Sequence, residues 1–162
     1  MEYRDYIKGD TQVSTIGLGA WQLGVDAGWT TLSEKEAIHL VHKALDLGVN
    51  FFDTAPVYGN GTSELRLGKA FVGKDRSKLV INSKFGRLAD GRVDFNAKHI
   101  TATVEGSLKR MGIDYLDSVI IHSPPFAFLD GRHQEHYAIM DRLKASGKIY
   151  YSRINCPYIR AC

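Results

Sequence analysis

Gly17-Leu18-Gly19-Ala20-Trp21-Gln22 is the stretch on which the choice of fold turns. Ile16-Gly17-Leu18-Gly19 is a short apolar run, read as a first buried strand ending at Ala20-Trp21, and the first amphipathic segment follows, so the stretch holds the first strand-to-helix turn. A dinucleotide-binding fingerprint at that place would carry a third glycine, closing the helix onto the strand. Here Gln22 stands where that spacing asks for it. No phosphate-binding loop of the Gly-x-x-x-x-Gly-Lys-Ser/Thr type occurs elsewhere in the chain.

Outward from this turn the chain alternates short apolar runs with helical periodicity. Upstream, Tyr3 to Ile7 and Gln12 to Thr15 bracket Gly9-Asp10, which predicts a β-hairpin. Downstream, Ser33-Glu34-Lys35-Glu36 fits a capping box, and Ile38, Val41 and Leu45 follow at spacings of three and four. Gly48 is placed to end that helix. A strand over Val49 to Phe52 stops at Asp53. A helix near Ser63-Glu64 has Leu67, Ala70 and Phe71 on one side and Gly73 after it. Leu79-Val80-Ile81 opens a strand ending at Lys84. Ala97 to Met111 is striped by Ile100, Val104, Leu108 and Met111, and Gly112 closes it. Leu116 to Ile121 leads to His122. A last helix, about Gln134 to Ser146, ends at Gly147 before Ile149-Tyr150-Tyr151. Strand then helix, with a period of about 30 residues, is the pattern of parallel βαβ units. Near-continuous apolar strands fit a sheet covered on both faces. With the fingerprint missing, a (β/α)₈ barrel is favoured over a doubly wound sheet.

The chain has 162 residues, 44% hydrophobic and 24% charged, enough for a single globular domain over 1–162. No apolar run is long enough to span a bilayer, and the first ten residues lack a signal-peptide core. A cytoplasmic location is the resulting expectation. The net charge of +3 comes from dispersed residues, so neither nucleic acid nor a membrane surface is expected as a partner. The two cysteines, Cys156 and Cys162, form no disulfide framework and no zinc pattern. His39/His42 and His133/His136 have chelating spacing but no third ligand nearby. Solvated helix faces explain them better, and no metal site is expected.

Three strands end in ionisable residues: Asp53, Lys84 and His122. Tyr58 follows the first of them in Asp53-Thr54-Ala55-Pro56-Val57-Tyr58-Gly59. In a barrel the carboxyl ends of the strands face one rim, where active sites sit, so the four converge. A lysine beside a phenol lowers its pKa from about 10, and a carboxylate keeps the lysine charged. Tyr58 then serves as a general acid, and His122 orients a substrate oxygen toward it. The matching reaction is protonation of a carbonyl oxygen while hydride reaches its carbon, and a cofactor must supply the hydride. An ion pair of purely structural use between Asp53 and Lys84 is the plain alternative, as is a core position for Trp21.

These residues resemble the aldo-keto reductase family over 1 to about 151. The matches are Gly17-Leu18-Gly19 with Trp21, Phe52 through Gly59, Ser63-Glu64 with Leu67-Gly68, Ser83-Lys84, Ser107 through Asp117, His122 and Gly147-Lys148-Ile149. The resemblance implies an NADPH-dependent reductase of aldehydes or ketones with Asp53, Tyr58, Lys84 and His122 as catalytic tetrad. It implies Trp21, Tyr58 and His122 against the substrate, and Gly19, Asp53 and Asn155 against the cofactor. A complete barrel takes about 250 residues, so four to five βα units after the hairpin make a truncated one. From Ser152 to Cys162 the apolar pattern fails, which suggests a divergent tail produced by a frameshift or early stop near Tyr151. Open sheet edges would then favour self-association. A half-barrel interaction or regulatory module, or a gene product without activity of its own, are the alternatives to an enzyme.

Overall fold

The computed structural model describes residues 1–6, 11–24, 31–124 and 135–151. Strands β1 (Tyr3–Asp5) and β2 (Gln12–Ser14) pair antiparallel with Tyr3 opposite Ser14, as the hairpin reading expects. The turn dipeptide Gly9-Asp10 lies outside the described residues. The chain then runs β3 (Leu18–Gly19), α1 (Glu34–Asp46), β4 (Phe51–Asp53), α2 (Thr62–Phe71) and β5 (Val80–Phe85). It continues with α3 (Ala97–Met111), β6 (Leu116–Ile121), α4 (Glu135–Ala145) and β7 (Ile149–Tyr151). The five later strands form one sheet in the order β3-β4-β5-β6-β7, all parallel. Each strand lies beside its predecessor, with no reversal of order. A doubly wound sheet reverses at its switch point, whereas a barrel advances in one direction. The sheet is therefore an incomplete barrel wall.

Local chemistry explains the elements. The capping box closes as expected: Ser33 Oγ accepts from the Glu36 backbone N–H, and Glu36 receives the Ser33 N–H at 2.9 Å. Asn96 caps α3 by accepting from the His99 N–H, and Gly112 ends it at φ 65°. The first strand is shorter than its apolar run suggested. Ser14 Oγ bonds the Ile16 carbonyl, the chain bends, and Ile16 is left 64% exposed. Trp21–Leu23 forms a 3₁₀ turn that sequence periodicity did not reveal.

The helices cover one face of the sheet with a continuous core. It includes Val41, Phe52, Leu67, Phe71, Ile81, Ile100, Val104, Val119 and Leu143. Phe52 meets Phe71 edge-on at 5.0 Å between ring centres. The same face carries two buried charge pairs. Glu64 is fully buried and takes Arg110 Nε at 2.7 Å and Ser83 Oγ at 3.0 Å, joining α2, α3 and β5. Asp117 takes Arg76 Nη2 at 2.6 Å and the Ile81 N–H at 2.8 Å, while Arg76 lies over the Tyr115 ring.

Two of the histidines do not sit on solvated helix faces. His42 turns between α1 and α2 and its Nε2 lies 2.9 Å from the Ala70 carbonyl. His136 is buried against Tyr137, whereas His39 is exposed as expected and His133 is outside the described residues.

Removing one partner from a buried charge pair strands the other, which typically costs about 3–5 kcal/mol. Arg110→Ala is expected to lower unfolding stability by about 3 kcal/mol, since Arg110 is itself part-exposed. Urea denaturation of the two proteins checks this, and an unchanged midpoint would show Glu64 to be satisfied without Arg110.

Candidate active site

Parallel register sets the geometry. Gly19, Asp53, Asn82, Ser118 and Tyr151 lie side by side in one row across β3 to β7. Because strand side chains alternate, Lys84 projects from the same face as Asn82, one layer nearer the carboxyl rim. This is the face away from Ile81 and Ser83, which meet the helices. Asp53 and Lys84 therefore approach each other across neighbouring strands, and Lys84 Nζ reaches Asp53 Oδ2 at 2.6 Å and the Thr54 carbonyl at 2.9 Å. The lysine is only 9% exposed, and these acceptors meet its buried end.

Tyr58 comes from the loop after β4. Its ring faces Lys84, with Nζ 4.9 Å from the ring centre. His122, the residue after β6, presents its ring edge-on to Tyr58 at 5.7 Å between centres and 89° between planes. Its backbone N–H donates to the Phe85 carbonyl at 2.9 Å, continuing the β5–β6 ladder to the rim. The four residues expected to converge do so.

The Tyr58 loop is held by contacts that leave little space. A side chain at Gly59, φ 62°, would place its Cβ 1.7 Å from the Gly24 carbonyl oxygen. Backbone thus packs on backbone where the 3₁₀ turn ends, and only glycine fits there. Asn60 and Gly61 also have positive φ, 51° and 91°. Asparagine tolerates that conformation, and glycine adopts it freely. Ser63 Oγ donates to the Ala20 carbonyl at 2.7 Å, the Ser63 N–H donates to the Tyr58 carbonyl, and Thr54 sits 2.9 Å from Ser63. Composition alone did not single out Thr54 or Ser63. Thr54 falls in the quoted motif and Ser63 at the expected helix start, but nothing in their spacing announces the contact between them.

Trp21 is 44% exposed, which overturns a core position for it. At Gly19 nothing lies within 4 Å of where a side chain would begin. An open cleft of about 550 Å³ runs from Tyr6 past Gly17 and Phe51 to Gly19 and Asp53. Gly19 and Asp53, two of the cofactor candidates, line this cleft, whereas Tyr58, Lys84 and His122 do not. Asn155, the third cofactor candidate, lies outside the described residues, as does the tail from Ser152. Among the described residues no cluster of three or more potential ligands could hold a metal, and no helix is long and apolar enough to cross a membrane.

The chain matches the model of the Aldo/keto reductase family over residues 15–154. It belongs to that family. An L-galactose dehydrogenase of Arabidopsis thaliana is 37% identical over 139 residues, covering 85% of this chain and 43% of that protein. A probable voltage-gated potassium channel subunit beta of Oryza sativa subsp. japonica is 39% identical over 128 residues, 76% of this chain and 38% of that protein. Among solved structures, the holo form of an aldo-keto reductase from Bacillus halodurans superposes with a TM-score of 0.80 at 31% identity. That match covers 95% of this chain and 50% of the other. The aldo-keto reductase chain thus spans about half the length of the relatives it matches, and its wall is about half of their barrel.

Burial pushes the His122 imidazole below its ordinary 6.5, and Lys84 and Arg87 add to this, while Asp53 opposes it. The folded value is the lower one, so below about pH 6.5 the unfolded chain takes up more protons at this site. His122 therefore subtracts stability as pH falls through that window and is neutral above it. An NMR titration of the imidazole is expected to give a midpoint below 6.5. Asp53→Asn should lower it further and Lys84→Met should raise it. A midpoint above 6.5 would contradict the surroundings described here.

Proposed function

We propose that this chain carries the proton-transfer half of an NADPH-dependent reductase of aldehyde or ketone carbonyls, with an alcohol as product. The observation that carries the reading is the convergence of Asp53, Lys84, Tyr58 and His122 from three strand ends. It rests on the 2.6 Å Lys84–Asp53 contact with the Tyr58 ring against Lys84. Family membership supports the same chemistry, and the relatives' names include a dehydrogenase.

The roles follow from the groups. Tyr58 gives its phenolic proton to the substrate oxygen, and the Lys84 ammonium stabilises the phenolate left behind. Asp53 keeps Lys84 charged and in place. His122, neutral near pH 7, donates a ring N–H to the same oxygen and turns it toward Tyr58. A positioned acid of this kind contributes roughly 10²–10⁴-fold to the rate. Trp21 stands exposed beside the rim and lines the substrate's approach. Gly19 and Asp53 would hold the nicotinamide, which when bound would supply the hydride for the carbonyl carbon.

Titrating the purified chain with NADPH and with NADH, followed by assay with a simple aldehyde, tests this. Binding and turnover are expected, NADPH being preferred. Tyr58→Phe should retain binding and lose at least 10²-fold in kcat, an order set by general acid catalysis. Absence of binding to either cofactor would overturn the reading for this chain.

A second reading has one observation behind it. Among the described residues the sheet has β3 and β7 at its edges, and beside β3 helix α1 leaves Leu40 38% and Leu47 61% exposed. A half-barrel that pairs with a second copy would cover both, consistent with an interaction module. Light scattering on the purified chain is expected to give a dimer mass. A monomer across the micromolar range would remove this reading.

A further inference from the structure

The acid–base groups account for Asp53 Oδ2 but not for its other oxygen. Asp53 Oδ1 accepts from the side-chain amide of Asn82, which is 4% exposed. Asn82 Oδ1 in turn accepts from Ser118 Oγ at 2.7 Å, and Ser118, equally buried, lies 2.6 Å from the Tyr6 hydroxyl. Tyr6 follows β1 of the amino-terminal hairpin, and its ring packs edge-on against Tyr151 and tilted against Phe51. One line of contacts thus runs from the hairpin, across β6 and β5, to the carboxylate on β4.

The direction of every bond in that line is forced. A carboxylate paired with lysine has no proton to give, so Asn82 must turn its NH₂ toward Asp53 and its oxygen toward Ser118. That oxygen can only accept, so the single hydroxyl proton of Ser118 is spent on it. Ser118 Oγ is then left as an acceptor for the Tyr6 hydroxyl. All three donors point toward Asp53, and chains of aligned hydrogen bonds polarise and strengthen one another. An amide in the middle cannot relay a proton, so the line orients rather than conducts.

We propose that Tyr6, acting through Ser118 and Asn82, is a positioning residue that fixes the Asp53 carboxylate against Lys84 and so couples the amino-terminal hairpin to the acid–base site. This rests on the reductase reading of that site for its consequence on rate, but not for its consequence on structure. The hairpin carries its own control: Tyr3 sits on β1, and its hydroxyl donates instead to the Gly48 carbonyl, away from the line.

The experiment uses the full chain and reads two quantities, the NMR resonances of the Asn82 side-chain amide and steady-state turnover with NADPH and an aldehyde. Tyr6→Phe and Ser118→Ala are each expected to move the Asn82 amide protons upfield. Each should lower kcat roughly tenfold at unchanged KM, short of the ~10²-fold that a 1 Å misplacement can cost. Tyr3→Phe should change neither, and Ser118→Thr, which keeps the hydroxyl, should restore both. Asn82 resonances that stay fixed in Tyr6→Phe overturn the proposal, as does unaltered kcat where the wild-type chain turns over. A wild-type chain without turnover defeats the reductase reading, while the resonances still decide whether the hairpin holds Asp53.

Discussion

Burying the Lys84 ammonium is the constraint on which the site depends. A cation so nearly removed from water is tolerated only with acceptors around it. They are the Asp53 carboxylate and the Thr54 carbonyl, both delivered by the end of β4. The β4–β5 register that places Asp53 opposite Asn82 brings the carboxylate to the lysine two residues further on. A slip of one residue would turn Lys84 toward the helices, into a core of Phe52, Ile100 and Val104 with no place for a charge. The ion pair and the strand register therefore require each other. Tyr58 and His122 then inherit their positions from the loop and strand that this register anchors.

Much of this was legible in the sequence because it follows from strand ends. Asp53, Lys84 and His122 each terminate an apolar run, and a parallel sheet brings such ends to one rim. The helices were equally plain where a capping residue marks the boundary. Ser33 with Glu36 opens α1, and Gly112 closes α3. The strand after Thr15 was less plain, because a side-chain bond from Ser14 to the backbone competes with the ladder and shortens it. Periodicity does not register such local competition.

The polar residues inside strands were harder to interpret. Val80-Ile81-Asn82-Ser83-Lys84-Phe85 is buried at all six positions, yet half of its side chains are polar. An apolar-run criterion stops at Ile81 and treats the rest as a strand end. The partners that make burial acceptable for Ser83 and Asn82 come from far along the chain, Glu64 for the first and Ser118 for the second. No spacing rule connects them. His42 escaped for the same reason, since its acceptor at Ala70 belongs to the neighbouring helix.

The polar residues of β5 also separate by face, and the separation has a physical meaning. Ser83 faces outward to Glu64, whose buried carboxylate is matched by the part-exposed Arg110 and fixes helices to the sheet. Asn82 and Lys84 face inward, where the carboxylate they share borders an open cleft. A matched pair sealed among helices is replaceable in principle by apolar residues of similar volume, often at no loss of stability. The Lys84–Asp53 pair is not enclosed in this way, since a third of the Asp53 side chain stays exposed beside the cleft. On one strand, then, the outward polar side chain ties a helix to the sheet, and the inward ones hold a carboxylate at the edge of the cleft.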